Sequence, residues 1–325
     1  MTRPKQLEAD PQFWTALRAE FGEAPRHNEP LANHTTSRLG GPADVWLPVT
    51  TLAQLVAAVE LARQHHVSLF MLGGGANLLI GDGGIRGLVI ENRANRVQFP
   101  EAGAGGQPAK LAAESGVVLP SLARRCAKRG LSGLEWAVGV PGTMGGAVVN
   151  NAGAYGSDMA TSLIRAELLS PVGERVWQPV DWFEYGYRHS CLKQQPAGQQ
   201  PGWIVLQAEL QMSCAAPIEV EARMNGFNER RKRSQPPGAT MGSMFKNPPG
   251  DYAGRLIEAA GLKGYRVGQA QISPVHANFF RNLGGATAGQ MYALIEKAQT
   301  AVVAKFGITL ELEIEVVGEF SKAAE

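Results

Sequence analysis

The spacing of apolar residues changes period several times along this chain, and each change marks an element. Phe13, Trp14, Leu17 and Phe21 recur on one helical face. Asp10 and Pro11 make a helix start signal, so residues 1–26 are predicted as one amphipathic docking helix with frayed ends. Residues 45–47 read as a strand. Thr51 then caps a helix carrying Leu52, Leu55, Val56 and Val59 on one stripe. Residues 68–72 form an apolar strand that runs straight into three glycines, and 87–91 form another. A helix is predicted over 119–128, stopped by Gly130. Residues 163–180 and 203–212 read as strands of a mixed sheet, and 217–233 as a helix ending in four basic residues.

Proline and glycine at 234–242 break both periods and mark a domain boundary. Beyond it the pattern predicts a helix over 252–260, a strand over 277–281, a long helix over 287–306 and a strand over 309–317. The tail after Gly318 is expected to fray. There is no internal repeat and no low-complexity tract.

Composition narrows the function. Hydrophobic residues make up 44% of the 325 and charged residues 18%, enough for a large core without oligomerisation. A net charge of +2 is too weak to argue for nucleic acid or a membrane surface as partner, and neither is expected, while a local basic patch still suits an anionic small molecule. Cys126, Cys191 and Cys214 are odd in number and widely spaced, a poor disulfide framework and a poor metal site. A reducing, cytosolic compartment fits them better. The first 30 residues have no apolar secretory core, and no uncharged run approaches a membrane span. A cytoplasmic chain with no membrane insertion is expected.

The 39 glycines cluster rather than repeat, which points to loops that approach a ligand closely. The first cluster is Gly73-Gly74-Gly75-Ala76-Asn77-Leu78, directly after an apolar strand. Its backbone N–H groups suit a phosphate, with Asn77 as an added donor; a plain hairpin turn is the simpler reading. It is not a dinucleotide-binding GxGxxG fingerprint. The second spans 139–156 and includes Gly139, Pro141, Gly142, Thr143, Gly145 and Gly146. It is expected to form neither helix nor strand but a backbone surface against something flat or anionic.

Three further stretches carry polar chemistry. Ser243 precedes Lys246 and Asn247, a setting for a proton-donating serine or simply a turn. No His–Asp relay accompanies it. Arg188 in Tyr185-Gly-Tyr-Arg-His-Ser190 offers a planar fork for a carboxylate, or is an ordinary surface arginine, and His189 has no second histidine at metal spacing. Glu311, Glu313 and Glu315 alternate with apolar residues, so a strand here would place all three on one, mostly solvated, face.

Taken in order, these segments resemble the UDP-N-acetylenolpyruvoylglucosamine reductase family. The match runs from about His34 to Gly318. It includes Thr35-Thr-Ser-Arg-Leu-Gly-Gly-Pro-Ala-Asp44, both glycine clusters, Tyr187-Arg-His-Ser190, Gln235-Pro236, the Ser243 segment, Ser273-Pro-Val-His-Ala-Asn278 and Phe306-Gly-Ile308. The resemblance implies an α+β fold with an FAD-binding region of the vanillyl-alcohol-oxidase (PCMH) type in two subdomains, plus a C-terminal α+β substrate domain. The corresponding boundaries are an N-terminal extension over 1–30, FAD subdomains over 31–100 and 101–233, and the substrate domain over 234–325.

The same resemblance implies noncovalent FAD on the two glycine clusters, NADPH as co-substrate, and a UDP-sugar substrate. It assigns Arg188, Ser243 and Glu313 to catalysis, and Lys246, Asn247 and Gln271 to substrate contacts. Only 54 residues separate Arg188 from Ser243, so the chain resembles the shorter form of the family, without the inserted loop that brings a tyrosine to the substrate diphosphate. A related FAD oxidase of the same superfamily and a non-catalytic flavin- or sugar-nucleotide-binding module are the competing readings.

Overall fold

The computed structural model describes residues 11–100, 108–194 and 202–320. Asp10, read as the cap of the first helix, lies outside them, as does the end of the tail. The chain groups into two compact units built from interleaved segments: Met1–Arg26, Val45–Gly74 and Gly87–Arg231 make unit 1, and His27–Asp44, Gly75–Arg86 and Lys232–Glu325 make unit 2. Residues 27–44 and 75–86 therefore group with the C-terminal segment and not with the rest of 31–100.

Unit 1 has two apolar clusters. The helix Pro11–Phe21 buries Phe13 and Leu17 completely. They pack with Val45, Leu47 and Val49, with Leu55 and Val59 of the helix Leu52–Gln64, and with Leu88 and Ile90. This first helix ends earlier than the residue 26 expected, because Gly22 takes φ +61 and stops it. A strand, Arg26–Pro30, begins where the helix was expected to finish. Thr51 caps as predicted, its hydroxyl accepting from the Gln54 N–H at 3.2 Å.

The second cluster lies under an antiparallel sheet ordered Arg175–Pro179, Leu163–Leu169, Ile204–Cys214, Pro108–Glu114, Val97–Gln98. The expected 163–180 strand is two strands joined by a turn at Gly173, φ +88. Helices Leu119–Ala127 and Pro217–Ser234 contribute Leu122, Cys126 and Val220 to the core.

The second glycine-rich segment corrects the expectation more sharply. It contains a real helix, Met144–Asn150, with Gly145 and Gly146 in its first turn. Two donors of that turn are bonded from outside the helix: Met144 N–H to Val117 O at 2.9 Å and Gly145 N–H to Ser115 O at 2.8 Å. Tertiary partners compensate for the poor helix propensity of glycine.

Unit 2 holds an antiparallel sheet ordered Ala239–Ser243, Phe279–Asn282, Ala270–Ile272, Arg266–Val267. The helices Ala253–Ala259 and Ala288–Phe306 supply Leu256, Ile257, Met291, Leu294 and Ile295 to the core shared with Phe245, Ile272 and Phe280. The long helix has the full capping box of Thr287 and Gln290, and Gly307 ends it at φ +69. Its first turn also receives the Asp82 carboxylate, which accepts from Ala288 N–H at 2.8 Å and Gly289 N–H at 2.9 Å.

The 309–317 strand does not form as one piece. Only Glu315–Val317 is a strand, parallel to Leu78–Ile80. Before it, Leu312 bridges Phe245. The chain changes hydrogen-bonding partners at Glu313 and bends there, so the common face expected for Glu311, Glu313 and Glu315 is lost.

Candidate active site

In unit 1 the two glycine clusters meet. The strand Leu69–Leu72, parallel to Ile85–Asn92, delivers Gly73 and Gly74. A Cβ on Gly73 would stand 2.7 Å from Thr143 Oγ1, and one on Gly74 would stand 3.0 Å from Gly142 Cα. The second loop is held by Leu119 N–H to Gly142 O at 3.0 Å and by a Val118–Thr143 bridge. A Cβ on Gly145 would press on Ser115 at 3.0 Å, and one on Gly139 would overlap the Arg231 side chain. Burial pushes the Arg231 guanidinium below its ordinary pKa, with a partial offset from Tyr155. Gly74, Pro141 and Gly146 are exposed. The result is a main-chain surface, built from two loops and free of bulky side chains, that a flat ring or a pyrophosphate can approach. The residues present therefore fit FAD.

Arg188 sits in a two-residue hairpin loop closed by reciprocal bonds between Gly186 and His189. Its φ is +55, a conformation that disfavours a side chain by roughly 1–2 kcal/mol. The surroundings hold it there. Arg188 Nη2 donates to Gly153 O at 2.7 Å, Tyr185 Oη to Val148 O at 2.8 Å, and Asn151 Nδ2 to Gly186 O at 3.0 Å. Ser190 Oγ also donates to Val149 O. The Arg188 turn is thus stitched to the later part of the second glycine-rich segment, and the guanidinium plane is set by main-chain carbonyls. Burial raises the Tyr185 phenol far above its ordinary pKa, so it stays a neutral donor.

Unit 2 ties the Glu313 main chain to Met244, the residue after Ser243, and to Asn77. Glu313 N–H donates to Met244 O at 3.0 Å, beside Ser243. Asn77 Nδ2 donates to Glu313 O at 3.2 Å, and Glu315 N–H to Asn77 O at 2.9 Å. Gly75, at φ +57, has no room for a Cβ because His34 O lies against it. Its carbonyl accepts from Thr36 N–H at 3.1 Å, and Thr36 Oγ1 donates to Thr240 O at 2.8 Å. Ser243 follows a β-bulge at which Gly242 takes φ +82; bulges of this kind re-aim the next side chain. Ala76 is half-buried, and Leu78 opens the strand Leu78–Ile80.

The neighbours expected to assist Ser243 are engaged elsewhere. Lys246 Nζ reaches Glu311 Oε2 at 3.4 Å, and Asn247 Oδ1 accepts from Ala253 N–H at 3.1 Å, at the start of a helix. Gln271 is buried, its amide donating to Gly264 O at 3.3 Å. Among the described residues, no group of three or more His, Cys, Asp or Glu is placed to hold a metal.

The C-terminal domain model of UDP-N-acetylenolpyruvoylglucosamine reductase matches residues 234–317, and an FAD binding domain model matches 43–178. The reductase of Chloroflexus aggregans is 46% identical over 292 residues, covering 90% of this chain and 97% of the relative. That of Rubrobacter xylanophilus is 44% identical, covering 91% and 96%. The crystal structure of the Thermus caldophilus enzyme (MurB) superimposes with a TM-score of 0.73 at 35% identity, over 90% of this chain and 99% of that one. The chain belongs to the UDP-N-acetylenolpyruvoylglucosamine reductase family.

Within this reductase, two residues that hold the Ser243 segment carry no local sequence signal. Asn278 Nδ2 donates to Phe245 O at 2.8 Å, its Oδ1 accepts from Phe245 N–H at 2.9 Å, and its carbonyl accepts from Met244 N–H at 2.8 Å. One buried asparagine thus fixes the two residues after the serine, Phe245 through its carboxamide and Met244 through its main-chain carbonyl. Thr36 ties the Gly75 turn to Thr240. Both lie in the segments that carried the resemblance, but nothing in their spacing announces these partners.

Proposed function

We propose that this chain reduces the enolpyruvyl ether of UDP-N-acetylglucosamine to the lactyl ether of UDP-N-acetylmuramic acid, with FAD as cofactor and NADPH as reductant. The FAD sits on the glycine loops of the 31–100 and 101–233 segments without a covalent tether, since Gly75-Ala76-Asn77 offers no histidine. The 234–325 segment takes the UDP-sugar, with Lys246, Asn247 and Gln271 in contact with it. Three unpaired cysteines suit a cytoplasmic enzyme, and no helix among the described residues is long and apolar enough to cross a membrane.

The chemistry that bound FAD supplies is two-electron transfer, from NADPH to C3 of the enolpyruvyl group. The chain's own residues manage charge and proton. Addition at C3 leaves negative charge on C2 and the adjoining carboxylate, as an enolate. Arg188 stabilises that charge with a guanidinium already oriented by Gly153 and Asn151 carbonyls. Glu313, fixed through Met244 and Asn77, completes the polar surround. Ser243 delivers a proton to C2, for which general acid catalysis is typically worth about 10²–10⁴-fold.

The main-chain bond from Glu313 to the residue after Ser243 carries this reading, because it brings a distant carboxylate-bearing residue beside the Ser243 segment. The test is single-turnover mixing of NADPH-reduced enzyme with substrate. Ser243→Ala is expected to retain flavin and to be reduced by NADPH at a near-normal rate, yet to release product at least ~100-fold more slowly. Substrate reduction at the wild-type rate in Ser243→Ala would remove the serine from the mechanism.

A further inference from the structure

Four polar side chains stand in one line across the unit 2 sheet. Thr240 lies opposite Arg281, Arg281 opposite Gln271, and Gln271 opposite Arg266. Directly opposed residues share a face, so each strand gives one residue to a single polar row. The other face carries the core residues Met241, Ile272 and Phe280. Ser243 belongs to the polar face: it is opposite Phe279, and Phe279 and Arg281, two apart on one strand, point the same way.

This row holds two guanidiniums and no carboxylate. Arg281 Nε and Thr240 Oγ1 are both buried, and neither has a hydrogen-bond partner among the described residues. A guanidinium nitrogen only donates, and a donor sealed from water without an acceptor is a rare and unfavourable arrangement. The two atoms belong to directly opposed residues, so one acceptor oxygen group can serve both. Open space adjoins the far end of the guanidinium. The guanidinium reaches toward Gly238, and a Cβ built on Gly238 would meet nothing within 4 Å except Arg281 Nη2, at 3.9 Å.

We propose that Arg281, with the Thr240 hydroxyl beside it, anchors the diphosphate of the UDP-sugar. The assignment rests on the enolpyruvyl-reductase reading and supplies an anion anchor in a chain without the inserted tyrosine loop. In the substrate, one pyranose ring separates the enolpyruvyl ether from the diphosphate. In the sheet, the Arg281 row is displaced from the Ser243 row by two residues, roughly 7 Å along the strand. Its guanidinium extends further from Ser243, toward Gly238. A ligand reaching from the serine to the arginine along this face therefore presents its ether at one end and its phosphates at the other. A guanidinium suits that end because its planar donors match phosphate oxygens.

NADPH and FAD also carry diphosphates, so the experiment separates the three sources. Holoenzyme and the variants Arg281→Met and Thr240→Val are titrated with UDP and with uridine, following the flavin absorbance change or calorimetric heat. Arg281→Met keeps the apolar stem and removes the donors. It is expected to weaken UDP binding about 10- to 100-fold, the range for one lost hydrogen bond to a charged group, and to leave uridine binding unchanged. Thr240→Val should weaken UDP several-fold. The KM for substrate should rise in parallel, with flavin content and the rate of flavin reduction by NADPH held at wild-type values.

Equal loss for UDP and uridine, or no loss for either, overturns the proposal. Slower reduction by NADPH with intact UDP binding moves the anion to the nicotinamide cofactor and also overturns it, and loss of flavin assigns the arginine to FAD. The UDP titration needs no turnover. An enzyme that fails to reduce the enolpyruvyl substrate would therefore sink the functional reading and still leave the anion site open to test.

Discussion

Replacing Asn278 with alanine tests how the site is held. Phe245 is fully buried, and its N–H and C=O are both bonded by the Asn278 carboxamide, at 2.9 and 2.8 Å. Asn278 itself is 3% exposed, so water cannot easily replace the lost partners. Each orphaned main-chain group costs about 1–3 kcal/mol, and the two together amount to roughly 2–6 kcal/mol, less whatever a trapped water recovers. The Met244 N–H bond to the Asn278 carbonyl is main chain to main chain and survives the substitution. The expected result in urea denaturation is a lower midpoint with an unchanged slope, corresponding to a stability loss of about 2 kcal/mol or more. The folded fraction should bind FAD and accept electrons from NADPH normally, while proton delivery to the substrate slows, because Met244 and Phe245 directly follow Ser243. Asn278→Asp keeps the acceptor for Phe245 N–H and should recover part of the rate. A variant within about 0.5 kcal/mol of wild type, with normal substrate reduction, would refute the claim that this carboxamide positions the serine.

Three other outcomes are expected. Gly75→Ala must place a side chain at φ +57 with its Cβ against the His34 carbonyl; the strain exceeds the ~1–2 kcal/mol of the backbone conformation alone, and flavin-to-protein ratio and Tm should both fall, so normal values of both would show that the turn is not rigid. Asp82→Ala removes two charge-assisted bonds from the start of the helix Ala288–Phe306; a loss of about 2 kcal/mol in urea is expected, with Asp82→Asn, which keeps one neutral acceptor, losing less, and wild-type stability in Asp82→Asn would contradict the role of the charge. For Glu135, burial alone would raise the carboxyl pKa, but the Gly133 N–H, the Ser132 hydroxyl and Arg223 outweigh it and hold it below its ordinary 4.5. Glu167, also buried, is depressed in the same way by Arg175 and Gln207. Folded values below unfolded ones mean stability that is present above pH 4.5 and is lost as pH falls through the depressed values. Denaturation midpoints measured across acid pH should therefore fall less steeply in Glu135→Gln than in wild type; identical slopes would show that Glu135 is not among the groups responsible.

Local chemistry in the sequence was enough for some of this molecule. Thr51 marks a helix start through a side chain that acts within four residues, and it does so in the structure as read; Thr287 and Gly307 close the long helix by equally local means at the bounds the pattern predicted. The apolar stripe of Leu52–Gln64 and the glycines after Leu72 are equally local. The order of short motifs along the chain was enough for the family, because many weak matches in one sequence are jointly improbable. The structure decided wherever a partner lies far along the chain. Met144–Asn150 became a helix because Ser115 and Val117 accept its first N–H groups. The 309–317 run was divided because Phe245 and then Asn77 and Leu78 compete for its backbone. Arg188 keeps a left-handed conformation because carbonyls 35 and 37 residues away hold its guanidinium. Asn278 reaches Phe245 across 33 residues, and Asn77 reaches Glu313 across 236. Periodicity records which face of an element is apolar. It holds no information about which distant carbonyl a given N–H will meet, and in this protein those meetings assemble the candidate site.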